Sequence, residues 1–186
     1  MAISARLTYE QSLELPENKF EEIVDGEIRL RPPPSRVHAL LIERLAEILR
    51  EQLDRTVFRI LTSPFGQGIK RKPYLSYRVP DLAVYRAEHL DRERDHYVWS
   101  APELIIECLS PANRKGSVDQ LLQDYASIQV PEVWLLYPEE RMLRRWALET
   151  DGYRQAPTDI ATASPLRLST VRIDVNEIWK LLPAGS

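Results

Sequence analysis

One of the most apolar stretches of the chain carries an acidic side chain. Residues 103–109 read Glu-Leu-Ile-Ile-Glu-Cys-Leu, which is the composition of an interior β-strand, and Glu107 falls near its end. Upstream, residues 78–84 read Arg-Val-Pro-Asp-Leu-Ala-Val and place Asp81 at the head of a second apolar run. An ionised carboxylate in such surroundings costs free energy unless a cation or a hydrogen-bond donor meets it. We therefore expect a polar site at the start of the run after Asp81 and at the end of the run that contains Glu107.

Length and composition predict a single domain over residues 1–186. The chain has 186 residues, of which 44% are hydrophobic and 28% charged, and this suits one domain with a real core. Cys108 is the only cysteine, so no intramolecular disulfide is possible and a reducing cytoplasm is the expected compartment. No run approaches the ~20 apolar residues of a membrane span, and we find no signal-peptide pattern. We expect a cytoplasmic protein without a membrane segment.

The overall charge argues against a dedicated non-specific DNA binder. The formal net charge is −3, whereas phosphate contacts favour a basic protein. Basic residues do cluster at 70–72, 114–115 and 144–145, so a local DNA-binding patch is still compatible with the sequence. Such clusters are more often solvated surface.

Hydrophobic periodicity and turn residues predict a mixed sheet flanked by helices. Asp25-Gly26 predicts the turn of a hairpin over residues 20–30, and Ser35 predicts the N-cap of an amphipathic helix. Ser117 and Gln120 have the spacing of a capping box before a second long helix. The predicted helices cover residues 8–17, 36–53, 118–128 and 178–182; the remaining predicted strands cover 57–61, 65–70, 74–78, 82–85, 103–107, 132–137 and 142–148.

Asp81 and Glu107 are the candidates for chemistry, because strand ends in such sheets converge where sites are commonly built. Paired carboxylate oxygens suit Mg²⁺ or Mn²⁺. A metal held there can activate water and stabilise the charge of a phosphate transition state. The alternative is structural: Asp81 caps a turn, and Glu107 forms an ion pair with an arginine.

An ordered series of short motifs extends over most of the chain. It comprises Glu-Ile-Val-Asp-Gly-Glu at 22–27, Pro-Pro-Ser at 33–35 with His38, Val-Pro-Asp-Leu at 79–82, Leu-Ile-Ile-Glu-Cys-Leu-Ser-Pro at 104–111, Tyr125, and Val-Pro-Glu-Val-Trp-Leu at 130–135. In this series the chain resembles the Uma-type family of bacterial endonucleases, whose members are assigned to the PD-(D/E)XK restriction-endonuclease-like fold. The resemblance implies an α/β protein with a restriction-endonuclease-like mixed β-sheet core flanked by helices.

The same resemblance implies the roles of individual residues. Asp81 and Glu107 correspond to the metal-binding acids of an Mg²⁺ or Mn²⁺ centre that hydrolyses DNA phosphodiester bonds. Glu22 matches a motif position and is the candidate third acid at the metal. His38 lies in the first turn of the predicted long helix, where it either lines the site or is a core histidine bonded to backbone.

The chain departs from the family on the helix after the second acid, where Ser117 replaces a usual aspartate and the lysine is also missing. The catalytic lysine usually lies on the helix after the second acid, four residues before the tyrosine, and this chain has Leu121 there. Leucine cannot donate to a phosphate, and helical spacing predicts a core residue. Lys115, just before the predicted helix, is the candidate replacement. A catalytically impaired module of the same fold, which binds nucleic acid or a protein partner, is therefore the main alternative.

Two further expectations concern mechanism and assembly. A metal-independent hydrolase could use the two acids as general acid and base. A homodimer would cover the large aromatic side chains of Trp134, Trp146 and Trp179.

Overall fold

The structure, a computed structural model, describes residues 6–15, 21–90, 97–110, 115–157, 161–180 and 182. The helices in this part of the chain are α1 (Tyr9–Ser12), α2 (Arg36–Gln52), α3 (Ala87–Leu90), α4 (Lys115–Ser127) and α5 (Val175–Trp179). The strands are β1 (Glu21–Val24), β2 (Glu27–Leu30), β3 (Phe58–Thr62), β4 (Gln67–Lys70), β5 (Ser76–Arg78), β6 (Leu82–Arg86), β7 (Leu104–Cys108), β8 (Glu132–Tyr137), β9 (Met142–Glu149), β10 (Gly152–Gln155), β11 (Thr162–Ala163) and β12 (Ile173–Asp174).

Six strands form the main sheet, in the order β10-β9-β8-β7-β6-β3. β7 and β8 are parallel and the other neighbours are antiparallel, so the sheet is mixed. The parallel pair needs a crossover connection, and α4 lies in it. Alternate residues of β7 enter different cores: Leu104 and Ile106 pack in the cluster that includes α2 and α5, and Ile105 packs in the cluster that includes α4. The predicted mixed sheet flanked by helices is confirmed.

Four strands form a small sheet, in the order β2-β1-β5-β4. β1 and β2 are the predicted hairpin, and Asp25 and Gly26 have φ values of 51° and 81°, as a type I′ turn requires. A separate apolar cluster supports this sheet, with the rings of Tyr77 and Tyr97 stacked at 4.7 Å between centroids. Three residues separate the end of β5 from the start of β6, so the chain passes from the small sheet to the main sheet at Asp81.

The helix boundaries agree with the sequence in part. The Ser35 hydroxyl caps α2 as predicted, accepting the His38 N–H at 3.2 Å. The capping box at Ser117 is wrong, because α4 already includes Lys115 and Ser117 lies inside the helix. α1 is shorter than predicted, although residues 16–17 of that prediction lie outside the described residues. None of the described helices combines the length and apolarity needed to span a bilayer.

The tryptophans that suggested a homodimer are accommodated within one chain. Trp134 has no exposed surface, Trp179 is buried, and Trp146 packs against the core cluster that includes α4. Tertiary packing already covers these rings, so the argument for a dimer from their exposure is wrong.

Candidate metal centre

Asp81 and Glu107 meet where the two sheets join. Asp81 immediately precedes β6, and β6 pairs antiparallel with β7 through Leu82 and Ile106. One step further along this register, Asp81 stands opposite Glu107. The Cys108 N–H donates to Asp81 Oδ2 at 2.8 Å, which ties the two strand ends together. The expected convergence of these strand ends is confirmed.

Asp81 is 3% exposed and has two basic partners. Its Oδ1 lies 3.0 Å from Arg31 Nη2 and 3.1 Å from His38 Nε2. Burial acts to raise the pKa of Asp81, but the contact with His38, the charge of Arg31 and the Cys108 N–H together hold it below its ordinary value. Asp81 is therefore the ionised acid of the pair, and His38 lines the site.

Glu107 has the opposite electrostatic character. It is 4% exposed, and the Tyr125 hydroxyl donates to its Oε1 at 2.5 Å. Burial, followed by the negative charge of Asp81, raises the pKa of Glu107 well above its ordinary value, and Arg31 and Tyr125 offset this only in part. Two neighbouring acids thus differ in their affinity for a proton.

Glu22 lies close to Asp81 and Glu107 and is held in place by residues of the small sheet. Arg78 Nη1 donates to its Oε2 at 2.9 Å, and the Val79 N–H donates to its Oε1 at 3.0 Å. Arg31 Nε lies 3.8 Å from Glu22 Oε1, so the Arg31 side chain extends from Glu22 to Asp81. The structure places Glu22 beside the acid pair with both of its oxygens engaged, and its role as a metal ligand stays a prediction.

Arg78 also connects the small sheet to α4. Its Nε and Nη2 donate to Asp124 Oδ2 at 2.8 Å and 2.5 Å. Gln120 Nε2 donates to the other oxygen of Asp124 at 2.9 Å. Desolvation acts to lower the pKa of the Arg78 guanidinium, but the charges of Glu22 and Asp124 outweigh it and raise that pKa. Arg78 is therefore a permanent cation between two acids.

The charges of the carboxylates and guanidinium groups in the cluster do not balance once Glu107 is ionised. Four carboxylates surround two guanidinium groups, so four ionised acids exceed the guanidinium charges by two. A divalent cation would remove that excess. The carboxylates belong to Glu22, Asp81, Glu107 and Asp124, and the guanidinium groups belong to Arg31 and Arg78.

The donor chemistry of Asp81 and Glu107 fits Mg²⁺ or Mn²⁺. These ions take hard oxygen ligands, and Mg²⁺ is commonly held by one or two carboxylates with water completing its shell. Within the part of the chain that the structure describes, no three His, Cys, Asp or Glu side chains form a ready-made ligand group. An ion at this place would have Asp81 and Glu107 as its carboxylate ligands.

Leu121 is a core residue, as predicted. It is 9% exposed and packs in the same cluster as Leu122 and Tyr125 of α4. Lys115 is the first residue of α4, and its side chain lies outside the described residues, so its role as a replacement cation stays a prediction.

The cations that the structure does place among the acids are Arg31 and Arg78, which the sequence reasoning did not select. The hairpin register contained a signal for the first. Glu22 pairs with Arg29 across the hairpin. Arg31 is two residues after Arg29, so its side chain is expected on the same face of the sheet as Arg29 and Glu22. Extending the alternation past the end of β2 would have placed Arg31 on the side of Glu22.

The chain is similar to a known structure along nearly its whole length. The crystal structure of a putative nuclease belonging to DUF820 from Anabaena variabilis matches with a TM-score of 0.78 and 18% identity, over 94% of this chain and 98% of that one. At this identity the likeness shows the fold. No curated protein matches the chain.

A family model matches residues 8–176, and its description is "Putative restriction endonuclease". The match includes every candidate residue of the centre. Family and fold together support a nuclease as the broad class. The chain therefore belongs to the Uma2 family.

Proposed function

We propose that the protein is a divalent-metal-dependent endonuclease that hydrolyses DNA phosphodiester bonds at Asp81 and Glu107. The observation that carries the proposal is the pair itself: two buried acids at adjacent strand ends, with pKa values shifted in opposite directions. Environments that separate the pKa values of neighbouring acids are typical of functional sites. Membership of a family described as "Putative restriction endonuclease" supports DNA as the substrate.

In this proposal Asp81 and Glu107 hold Mg²⁺ or Mn²⁺. The bound ion supplies Lewis-acid stabilisation of the phosphate charge and activation of a nucleophile. As a metal ligand Glu107 would be ionised, so binding of the ion would release its proton to solvent. His38 and the Cys108 N–H fix the orientation of Asp81 through its two oxygens.

Arg31 is the described residue best placed to supply the positive charge that Leu121 cannot. Its side chain is 26% exposed, so it reaches both the buried acid Asp81 and the solvent from which a phosphate arrives. A planar guanidinium can donate two hydrogen bonds to one phosphate. Lys115 is the second candidate for this role.

The test is cleavage of supercoiled plasmid and of single-stranded DNA in Mg²⁺ or Mn²⁺. We expect cleavage by the wild type and losses of about 100-fold or more in Asp81→Asn and Glu107→Gln. Glu47→Gln, an exposed change on α2, is the matched control and should cleave normally. Equal activity in all four proteins would exclude the centre. Activity that survives a chelator would favour the metal-independent hydrolase instead.

A module without catalysis is the second candidate function, and the burial of Leu121 favours it. If the wild type does not cleave, calorimetry with Mn²⁺ and a gel-shift assay with DNA decide. The binding module predicts DNA binding that Asp81→Asn retains. Equal Mn²⁺ affinity in the wild type, Asp81→Asn and Glu107→Gln would remove the metal centre as well.

A further inference from the structure

We propose that the outer edge of β2 is an interface between two copies of this chain. β2 is an end strand of the small sheet, and β1 is its neighbour on one side among the described strands. All four of its residues are exposed, including the apolar side chains of Ile28 at 47% and Leu30 at 75%. A strand edge that presents backbone groups beside apolar side chains is a template for pairing with another strand.

The hairpin determines which backbone groups point outward. A two-residue turn makes Val24 and Glu27 a hydrogen-bonded pair. Hydrogen-bonded and non-hydrogen-bonded pairs then alternate along an antiparallel ladder. Glu27 and Arg29 therefore direct their N–H and C=O groups towards β1. Ile28 and Leu30 direct theirs towards the free edge, so these are the residues through which an added strand can bond to β2.

A second copy of β2 satisfies the outward backbone groups of Ile28 and pairs the charged side chains beside it. In antiparallel pairing centred on Ile28, the two Ile28 residues form the hydrogen-bonded pair. Glu27 then lies opposite the partner's Arg29, and Arg29 lies opposite the partner's Glu27. These are the non-hydrogen-bonded positions, where facing side chains are closest and opposite charges stabilise the pair.

Charge excludes the other symmetric registers that the outward groups allow. Centring the pairing on Arg29 places Arg29 against the partner's Arg29. Centring it on Leu30 places Arg29 against the partner's Arg31, and centring it on Glu27 places two glutamates together. Like charges directly opposite each other destabilise a ladder. Only the register centred on Ile28 leaves no like charges directly opposite each other.

This pairing closes as a dimer. It uses the same edge in both copies, so no further copy can add to it, and Pro32, Pro33 and Pro34 end the strand and limit the ladder. The two small sheets become one continuous eight-stranded sheet. Arg31, which contacts Asp81, lies two residues beyond Arg29, so the seam of the dimer lies next to the candidate centre of each copy.

Sedimentation velocity over a wide concentration range tests the interface with charge swaps. We expect a wild-type dimer and a dissociation constant at least about tenfold higher in both Arg29→Glu and Glu27→Arg, since each change faces like charges across the axis. An equimolar mixture of the two variants should dimerise again, because each charge then meets its opposite. The double variant Glu27→Arg with Arg29→Glu should also dimerise.

Arg154→Glu is the matched control, since it lies on β10, an end strand of the main sheet, and should leave the dimer unchanged. Recovery on mixing also shows that each variant is folded. A wild type that is monomeric at every concentration would overturn the proposal. So would a dimer that both single changes leave equally tight, or single variants that dissociate and do not recover when mixed. Cleavage is not measured, so the outcome is independent of the proposed nuclease activity.

Discussion

The Tyr125 hydroxyl of α4 donates to Glu107 Oε1 of β7 across 2.5 Å, and both side chains are buried. Burial, followed by the charge of Glu107, raises the pKa of Tyr125 well above its ordinary value, so the hydroxyl keeps its proton and remains a donor. The contact in turn lowers the pKa of Glu107 against the larger effect of burial. Helix α4 therefore takes part in setting the charge of the candidate centre.

Tyr125→Phe should weaken both stability and metal binding. The change removes a buried hydrogen bond, which costs about 1–3 kcal/mol of unfolding free energy, and it makes Glu107 harder to ionise. Tyr153→Phe is the control, because it removes a comparable bond to the Val130 carbonyl, 2.6 Å long and away from the acids. Urea unfolding should show a loss in both variants, and calorimetry should show weaker Mn²⁺ binding in Tyr125→Phe alone. Equal Mn²⁺ affinities in the two variants would contradict this role.

Glu107→Gln should change how stability depends on pH. The pKa of Glu107 is raised from 4.5 in the folded chain, so the folded state holds this proton more tightly than the unfolded state does. In chelator, its contribution therefore falls as the pH rises from about 4.5 to the raised folded pKa. We expect Glu107→Gln to match the wild type in acid and to be more stable at neutral and alkaline pH, as measured by urea unfolding. A difference that does not grow with pH would contradict the raised pKa.

Asp81→Asn should show the opposite sign. The pKa of Asp81 is lowered from 3.8, so its ion pairs stabilise the fold above that pH and lose their effect as the pH falls through the folded pKa. We expect a loss of about 3 kcal/mol at pH 7 without metal, which shrinks in acid. The same urea titrations measure it, and a penalty that is constant from pH 7 into acid would show that charge is not its origin.

Arg31→Met should make the protein more dependent on metal. Without the guanidinium, Asp81 and Glu22 lose a cation, and unfolding free energy in chelator should fall by about 2 kcal/mol. Mn²⁺ should then restore more stability than it adds to the wild type, because binding to the folded state supplies the missing charge. Arg44→Met, an exposed change on α2, is the control and should show neither effect in thermal unfolding with and without Mn²⁺. The same metal-dependent gain in both variants would show that Arg31 does not compete with the cation.

Leu121→Lys tests whether the leucine limits catalysis. A lysine there should cost stability, because it places an amine in a packed cluster, but it should raise Mn²⁺-dependent cleavage about tenfold or more. Leu122→Lys is the control, since it places the same amine in the same cluster at a position where the family has no catalytic lysine, and it should not raise cleavage. A plasmid assay compares the two. No gain at position 121 would show that the missing lysine does not limit the reaction.

Much of the fold could be predicted, because its signals are local. β7 and β8 are apolar runs bounded by turn residues, Asp25-Gly26 specifies the hairpin, and Ser35 caps α2. The meeting of Asp81 and Glu107 followed from their positions at strand ends. The wrong capping box at Ser117 shows the limit of such signals: a favourable spacing also occurs inside a helix.

The cations of the site could not be predicted in the same way. Arg31 and Asp81 are 50 residues apart in sequence, and Arg78 and Glu22 are 56 residues apart. Their meeting depends on how the small sheet docks against the main sheet, which no local pattern encodes. The burial of Trp134 and Trp179 depends on how α2 and α5 pack with the main sheet, which is also not local, and composition alone therefore gave a wrong reason for a dimer.

The charged cluster also has a consequence for cooperativity, because its members come from different layers. Glu22, Arg31 and Arg78 belong to the small sheet and its hairpin, whereas Asp81, Glu107 and Asp124 belong to the main sheet and α4. Partial unfolding that detaches the hairpin leaves buried carboxylates without their counter-charges, so the two layers are energetically coupled. The N-terminal layer is thereby kept from opening as an independent unit. Amide hydrogens of β1 and β5 are expected to exchange no faster than this shared boundary opens.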